Sequence, residues 1–366
     1  MKATVFHEHG GPEVLAYEEI PTPEPGPEEA LVRIHATTVN HGPDTRVRQN
    51  GFGIPGFHLP HVPGSDGAGE VVALGDGASG VEVGQRVAIY PLVWCGTCDF
   101  CRRGAGENYC RNWRMTGMHF WGAHAEYIAL PARNLLPLPD SVSYEAGATL
   151  GVSYGTAHHG LTRQVRLREG ETVLVMAAGS GIGAAAIQIA VDAGARVIAT
   201  SSAAWKRERA LELGALAAFD YRDEGWPAAV REANDGRGVD VAFDNVGADT
   251  WTKSLSCLDR GGRFLCSGNT GGWEVSFGLP DVYRNMIEMR FHMQGALADS
   301  RALVEAIAAG RIEPVIDSVM PLSDNAAAEQ RLEERKQFGK VVLVPDSVLA
   351  SHGANQIESR LSGEGE

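Results

Sequence analysis

From Val173 onward the chain alternates short apolar, β-branched runs with amphipathic stretches. The runs VLVM (173–176), RVIAT (196–200), AAFDY (217–221), VDVAFDNVG (239–247) and GGRFLCSG (261–268) read as strands; AAAIQIAVDAG (184–194) and KRERALELG (206–214) read as helices between them. Continuous apolar strands need cover on both faces, so the pattern predicts a doubly wound α/β domain around a parallel sheet. Its ligand is expected beyond the carboxyl ends of the strands. Residues 1–125 differ: ALVRIHATTV (30–39), GEVVALG (69–75) and QRVAIY (85–90) are short strands set among Gly and Pro, the pattern of an irregular β-barrel. A helical stretch from about Ser143 leads into the second domain. After Met293 come two helical segments, ADSRALVEAIAAG and DNAAAEQRLEERK, and a last strand, KVVLV, expected to rejoin the first domain. The expected divisions are 1–150, 151–294, 295–345 and a polar, frayed tail over 346–366.

The first strand of the alternation breaks directly into closely spaced glycines. Gly179, Ser180, Gly181, Ile182 and Gly183 form a turn in which the backbone can approach a pyrophosphate, with a helix start aiming free amides at it. A glycine cluster is weak evidence alone; its place between a strand and a helix gives it meaning. The second strand ends in Thr200, Ser201 and Ser202, followed by Lys206 and Arg207. An acid there would hold the ribose hydroxyl of NAD, whereas two cations suit a 2′-phosphate, so NADPH is the expected cofactor. The alternative is that both cations are solvated residues at a helix start.

Composition narrows the class. The chain has 366 residues, long enough for two cores, and a formal net charge of −14, which excludes an extended nucleic-acid surface. The start, MKATVFHEHGGPEVL, lacks a signal-peptide core, and a cytoplasmic location is expected. Uncharged residues run from Thr172 to Val191, but the glycines and Gln188 fit a nucleotide-binding strand, turn and helix better than lipid, and no membrane partner is expected. Four of the six cysteines, Cys95, Cys98, Cys101 and Cys110, fall within 16 residues. That spacing reads as a closed structural zinc site, with four unligated thiols as the alternative.

These pieces in this order resemble the medium-chain dehydrogenase/reductase superfamily over residues 1–345. The motifs are VPGSDGAGEV (62–71), GQRVAIY (84–90), the cysteine lobe, the glycine turn, VDVAFDNVGADTW (239–251) and FGKVVLV (338–344). The match is nearest to the quinone oxidoreductase branch and its relatives with a zinc lobe. The resemblance implies a GroES-like β-barrel catalytic domain joined to a Rossmann domain. Eight residues separate Cys101 from Cys110, one more than is usual in the family, a loop insertion that leaves the ligand set whole. The catalytic zinc of the alcohol dehydrogenases is a different matter. By resemblance its first ligand position is Asn40, its second is Ser65, and the third region, LGVSYGTA (150–157), has no Cys. No open metal site is expected, unless His41, Asp44, His58, His61 and Asp66 regroup into a new one.

The same resemblance assigns roles. Asn40 would stand by the nicotinamide and donate to a substrate oxygen, and Tyr154 would be a proton donor or a pocket wall; Arg46 departs from the aromatic residue usual at its position, and a cation there would stabilise an enolate or lie on the surface. Thr156 would contact the nicotinamide, and Ser202, Lys206 and Tyr221 would surround the 2′-phosphate. Asn245 and Val246 would line the cofactor path, with Gly268 and Asn269 close to the nicotinamide. His158 and His159 read as packing residues. The expected activity is hydride transfer from NADPH to a quinone or α,β-unsaturated carbonyl without a catalytic metal. An alcohol or aldehyde oxidoreductase and an NADPH-binding protein without turnover are the alternatives. A homodimer or homotetramer is expected through the edge segment MRFHMQGAL (289–297).

Overall fold

The computed structural model describes residues 1–351. The chain divides into two compact units, one made of Met1–Val152 and the chain from Ile316, the other of Ser153–Val315.

The second unit is built on six parallel strands in the order Ala217–Phe219, Arg196–Thr200, Thr172–Val175, Val239–Phe243, Leu258–Cys266, Glu288–Phe291. Chain order runs outward in both directions from Thr172–Val175, so the connectivity reverses between it and Val239–Phe243, the place where doubly wound sheets bind their ligands. The central strands are sealed on both faces, with Val173, Leu174, Val175, Val241, Ala242 and Phe243 wholly buried. The uncharged span 172–191 is resolved into the strand Thr172–Val175, a turn and the helix Gly181–Asp192. Among the described residues no helix is long and apolar enough to cross a membrane.

The first unit holds a seven-stranded sheet around Glu29–Thr38. This long strand pairs antiparallel with Asp66–Leu74, Tyr127–Pro131 and the final strand Lys340–Val344, and Ile316–Pro321 adds parallel to the last. Arg86–Ile89 and Leu135–Pro137 continue beyond Asp66–Leu74. The register puts Thr38 opposite both Asp66 and Val342. The end of the central strand therefore meets the beginnings of its two neighbours, and Asn40, Asp66 and Lys340 converge at one end of the sheet.

The expected boundary at 294/295 is corrected: the return to the first unit begins at Ile316, and the helix Leu297–Ala308 belongs to the second. The reason is Asp299. Buried on that helix, it accepts hydrogen bonds from Nδ1 of His158 (2.9 Å) and of His159 (2.7 Å) and from the Ala296 amide (2.9 Å). Of the tail expected to fray, residues 352–366 lie outside the described residues, while Asp346 accepts from the Ser323 hydroxyl at 2.7 Å.

Candidate functional site

In the second unit the glycine turn has the form a pyrophosphate requires. Ser180 caps the helix Gly181–Asp192, its hydroxyl accepting from the Gly183 amide at 2.9 Å. Gly181 and Ile182 keep amides with no acceptor among the described residues, as the first turn of a helix does. A side chain is excluded by backbone contact at Gly183, and at Gly179 it would have to displace Lys206. A Cβ on Gly183 would lie 2.3 Å from the Ala177 carbonyl oxygen, and one on Gly179 would lie 2.5 Å from Cδ of Lys206. Lys206 is thus folded over the turn, and it is buried.

Beyond the second strand, Asp220 and Arg222, which pattern alone did not connect, join Arg207 beside Ser202; Lys206 lies along Gly179, and Tyr221 is half-buried. Arg207 donates to the carbonyls of Ser201 (2.8 Å) and Ser202 (3.1 Å) and pairs with Asp220 at 3.2 Å. Arg222 donates to the Ser202 carbonyl (2.6 Å) and pairs with Asp220 at 2.7 Å. Hydrogen bonding from Arg222 holds the Asp220 carboxyl down at about 2. Both of its oxygens are engaged by arginine, and two guanidiniums to one carboxylate leave a net positive charge beside Ser202.

At the end of the fourth strand, buried Asp244 accepts from the amides of Val246 (2.8 Å) and Gly247 (3.1 Å) and from the hydroxyls of Thr250 (2.7 Å) and Ser254 (2.6 Å). This fixes the loop carrying Asn245 and Val246. Asn245 Oδ1 accepts from Ser267, while its Nδ2 is buried without a partner, a donor waiting for an acceptor. Gly268 packs on the same residue, a Cβ there falling 2.6 Å from the Asn245 carbonyl, and Asn269 abuts Gly247. Thr156 is buried, its hydroxyl 3.4 Å from Oε1 of Gln294. These residues, an orphaned donor and a glycine cradle that a Cβ would fill, fit a nicotinamide dinucleotide.

Tyr154 does not belong with them. It is wholly buried; its hydroxyl donates to Oε1 of Gln188 (2.8 Å) and accepts from the Val315 amide (2.9 Å). Burial raises its pKa further above that of an ordinary phenol. Both hydrogen-bonding roles of the oxygen are used inside the fold, so the proton-donor expectation is corrected: Tyr154 is a packing residue.

In the first unit, the converging strand ends make a closed polar network. Asn40 Nδ2 donates to Asp66 Oδ2 at 2.9 Å, and Lys340 Nζ donates to Asn40 Oδ1 at 2.6 Å. Lys340 also reaches the Val39 carbonyl (3.2 Å) and Asp66 Oδ2 (3.5 Å). Thr38 and the Val152 amide complete the ligation of Asp66, at 2.8 and 2.7 Å. Gly151 permits this approach, since a Cβ there would sit 2.3 Å from Asp66 Oδ1. Burial lowers the pKa of Lys340, against which the Asp66 carboxylate acts. Asp44 takes the Asn40 amide at 2.7 Å, and burial pushes its carboxyl up to about 8. Arg46 opens the short helix Arg46–Asn50, half-buried, with its guanidinium 5.7 Å from the Phe52 ring centre.

These residues do not fit a catalytic zinc. Asn40 and Ser65 are neutral, the Ser65 hydroxyl donates to the Thr116 carbonyl at 2.8 Å, and the ammonium of Lys340 occupies the ground beside Asp66. Nor do His41, Asp44, His58, His61 and Asp66 regroup. Among the described residues, Cys95, Cys98, Cys101 and Cys110 are the single set of three or more such side chains with donor atoms close enough to share an ion. Their sulfurs lie within 4.8 Å of one another, with Cys98–Cys101 at 3.4 Å and Cys95–Cys110 at 3.5 Å. A tetrahedron of zinc–sulfur bonds has edges of about 3.8 Å. Backbone amides of Thr97 and Cys98 bring the Cys95 thiol down to about 5, favouring the thiolate a metal needs. The donor set fits a structural zinc and leaves no open position.

Comparison with known proteins agrees with this architecture. Residues 26–140 match the alcohol dehydrogenase GroES-like domain, and residues 181–309 match the zinc-binding dehydrogenase family. A quinone oxidoreductase of Pseudomonas aeruginosa is 32% identical over 94% of this chain and 99% of its own. An NAD-dependent alcohol dehydrogenase of Sulfurisphaera tokodaii is 30% identical over 94% of this chain and all of its own (100%). Among solved structures, an NAD-dependent alcohol dehydrogenase superposes with a TM-score of 0.90 at 38% identity, covering 94% of this chain and 99% of its own. The protein belongs to the medium-chain dehydrogenase/reductase superfamily and is an oxidoreductase of that family.

Proposed function

We propose that the protein is an NADPH-dependent reductase of quinones or α,β-unsaturated carbonyls that works without a catalytic metal and carries one structural zinc in its cysteine lobe. The observation that carries the reading is the Asn40–Asp66–Lys340 network at the place where a zinc alcohol dehydrogenase has its metal ligands. A cation already stands beside the carboxylate there, and the groups in contact offer hydrogen bonds rather than metal coordination.

When bound, the nicotinamide supplies the hydride; the chain supplies binding, orientation and a donor for the oxygen on which charge develops. Gly179 to Gly183 would take the pyrophosphate, Ser202, Lys206 and Tyr221 the 2′-phosphate, and Thr156, Asn245, Val246, Gly268 and Asn269 the nicotinamide half. Asn40 would donate to the substrate oxygen. Arg46 is the second candidate for that charge: a lower kcat in Arg46→Ala supports it, and an unchanged kcat removes it from the chemistry.

The alcohol dehydrogenase relatives, among them the solved structure at 38% identity, favour a second reading, oxidation of an alcohol with NAD. Rates of NADPH oxidation with quinones and enones, set beside rates of NAD reduction with primary and secondary alcohols, separate the two.

A further inference from the structure

The Asn40 side chain can lie in only one of its two amide orientations, and the reason is the chemistry of its neighbours. A carboxylate only accepts, so the atom 2.9 Å from Asp66 Oδ2 must be the NH2 group; an ammonium only donates, so the atom 2.6 Å from Lys340 Nζ must be the carbonyl oxygen. Reversing the amide would set its oxygen against a carboxylate and its NH2 against an ammonium. The two partners come from separate strands, Asp66 from the start of Asp66–Leu74 and Lys340 from the start of Lys340–Val344, on either side of the strand that ends at Thr38. Both are wholly or almost wholly buried, and neither is free to turn away. Lys340 has three acceptors for its three protons, the Val39 carbonyl, Asn40 and Asp66. Asp66 is held in turn by Thr38 and the Val152 amide.

The result is an asymmetry in what Asn40 can offer. Its oxygen is spent on Lys340 and one NH2 proton on Asp66, and the second NH2 proton has no acceptor among the described residues. We propose that Lys340 and Asp66 are positioning residues that lock the Asn40 amide as a hydrogen-bond donor, and so select substrates that present an acceptor oxygen, such as a quinone or enone carbonyl. The inference rests on the reading that Asn40 meets the substrate.

A double-mutant cycle tests it, with NADPH and 1,4-benzoquinone as the probes. Asn40→Ala should lower kcat by roughly 100-fold or more, the scale of one oriented donor in a reacting site, and Lys340→Met, which keeps the amide but frees it to turn, by a smaller factor of about tenfold. In the Asn40→Ala background, Lys340→Met should cost no further kcat, because nothing remains to be oriented. NADPH binding, followed by fluorescence titration, should be unchanged in Lys340→Met. Because Lys340→Met strands a buried carboxylate, the charge-neutral pair Lys340→Met/Asp66→Asn is the second variant: it removes the lock without an unpaired charge and should show the same loss and the same dependence on Asn40. Equal losses of kcat with and without Asn40 would overturn the positioning role while leaving Asn40 as a substrate contact. Full activity in Asn40→Ala would overturn the substrate contact itself, and this inference with it.

Discussion

Lys206 lies along Gly179, its Cδ 2.5 Å from where a side chain on that glycine would begin, so its ammonium is held beside the first glycine of the turn rather than in solvent. A hydrogen bond to a charged partner contributes about 1.5–3 kcal/mol. Lys206→Ala should raise the Kd for NADPH by roughly tenfold or more and leave that for NADH nearly unchanged; equal affinity of the unaltered protein for both cofactors would contradict the 2′-phosphate reading. The glycine turn and Lys206 were legible in the sequence because a strand, a turn and a helix start are contiguous, and each residue type there answers a local backbone need. Lys340 was not. It stands 274 residues from Asp66, and only the strand register puts them together. For Tyr154 the sequence leaves proton donor and pocket wall open for a related reason: the choice depends on burial, which Gln188 and Val315 decide from other elements.

Two helices show how charge fixes the position of an element. The Arg46–Asn50 helix carries Arg48, wholly buried, which pairs with Glu329 (2.6 Å) and Glu333 (2.5 Å) of the helix Asn325–Glu333. Removing one member of a buried pair leaves the other charge stranded, at about 3–5 kcal/mol. Arg48→Met should lose stability on that scale in chemical denaturation, and Arg48→Met/Glu329→Leu should recover much of it. Asp299 holds the helix Leu297–Ala308 against His158 and His159; burial opposes its ionisation, but the hydrogen bonds from the two histidines prevail and keep its pKa below that of an ordinary carboxyl. The unfolded chain therefore binds this proton more readily, and the contribution to stability is full above the ordinary carboxyl pKa and fades as pH falls below it. Asp299→Asn should cost about 2–3 kcal/mol near neutral pH, with the gap to the parent closing as the solution is taken below about pH 4. A gap that stays constant with pH would show that Asp299 acts without its charge. The strands and helices themselves were readable from periodicity, most within a few residues. The domain boundary was not, because the helical pattern over 298–310 says nothing about which core receives it.

At the scale of the whole molecule, the outer strand Glu288–Phe291 ends the parallel sheet, and among the described residues no further strand pairs with its edge. Around it the segment 273–293 exposes Trp273, Leu279, Tyr283, Met286, Phe291 and Met293. His292 does not shield that edge, since its Nε2 turns inward to the Thr156 carbonyl at 3.0 Å. Unpaired strand edges and apolar surface together favour pairing with a second copy. Light scattering at micromolar concentration should give the mass of a dimer or a dimer of dimers, and Phe291→Lys should shift it toward monomer; a clean monomer for the unaltered chain would contradict the assembly. The cysteine lobe should hold its metal independently of turnover, so Cys98→Ser should lose zinc and thermal stability together. The most direct test of metal-free reduction is the zinc content of purified protein, measured on the same sample whose NADPH-dependent turnover of 1,4-benzoquinone is recorded. One zinc per chain in fully active protein, with no NAD-dependent oxidation of alcohols, is the predicted result; two zincs per chain with alcohol oxidation that rises and falls with the second would contradict it.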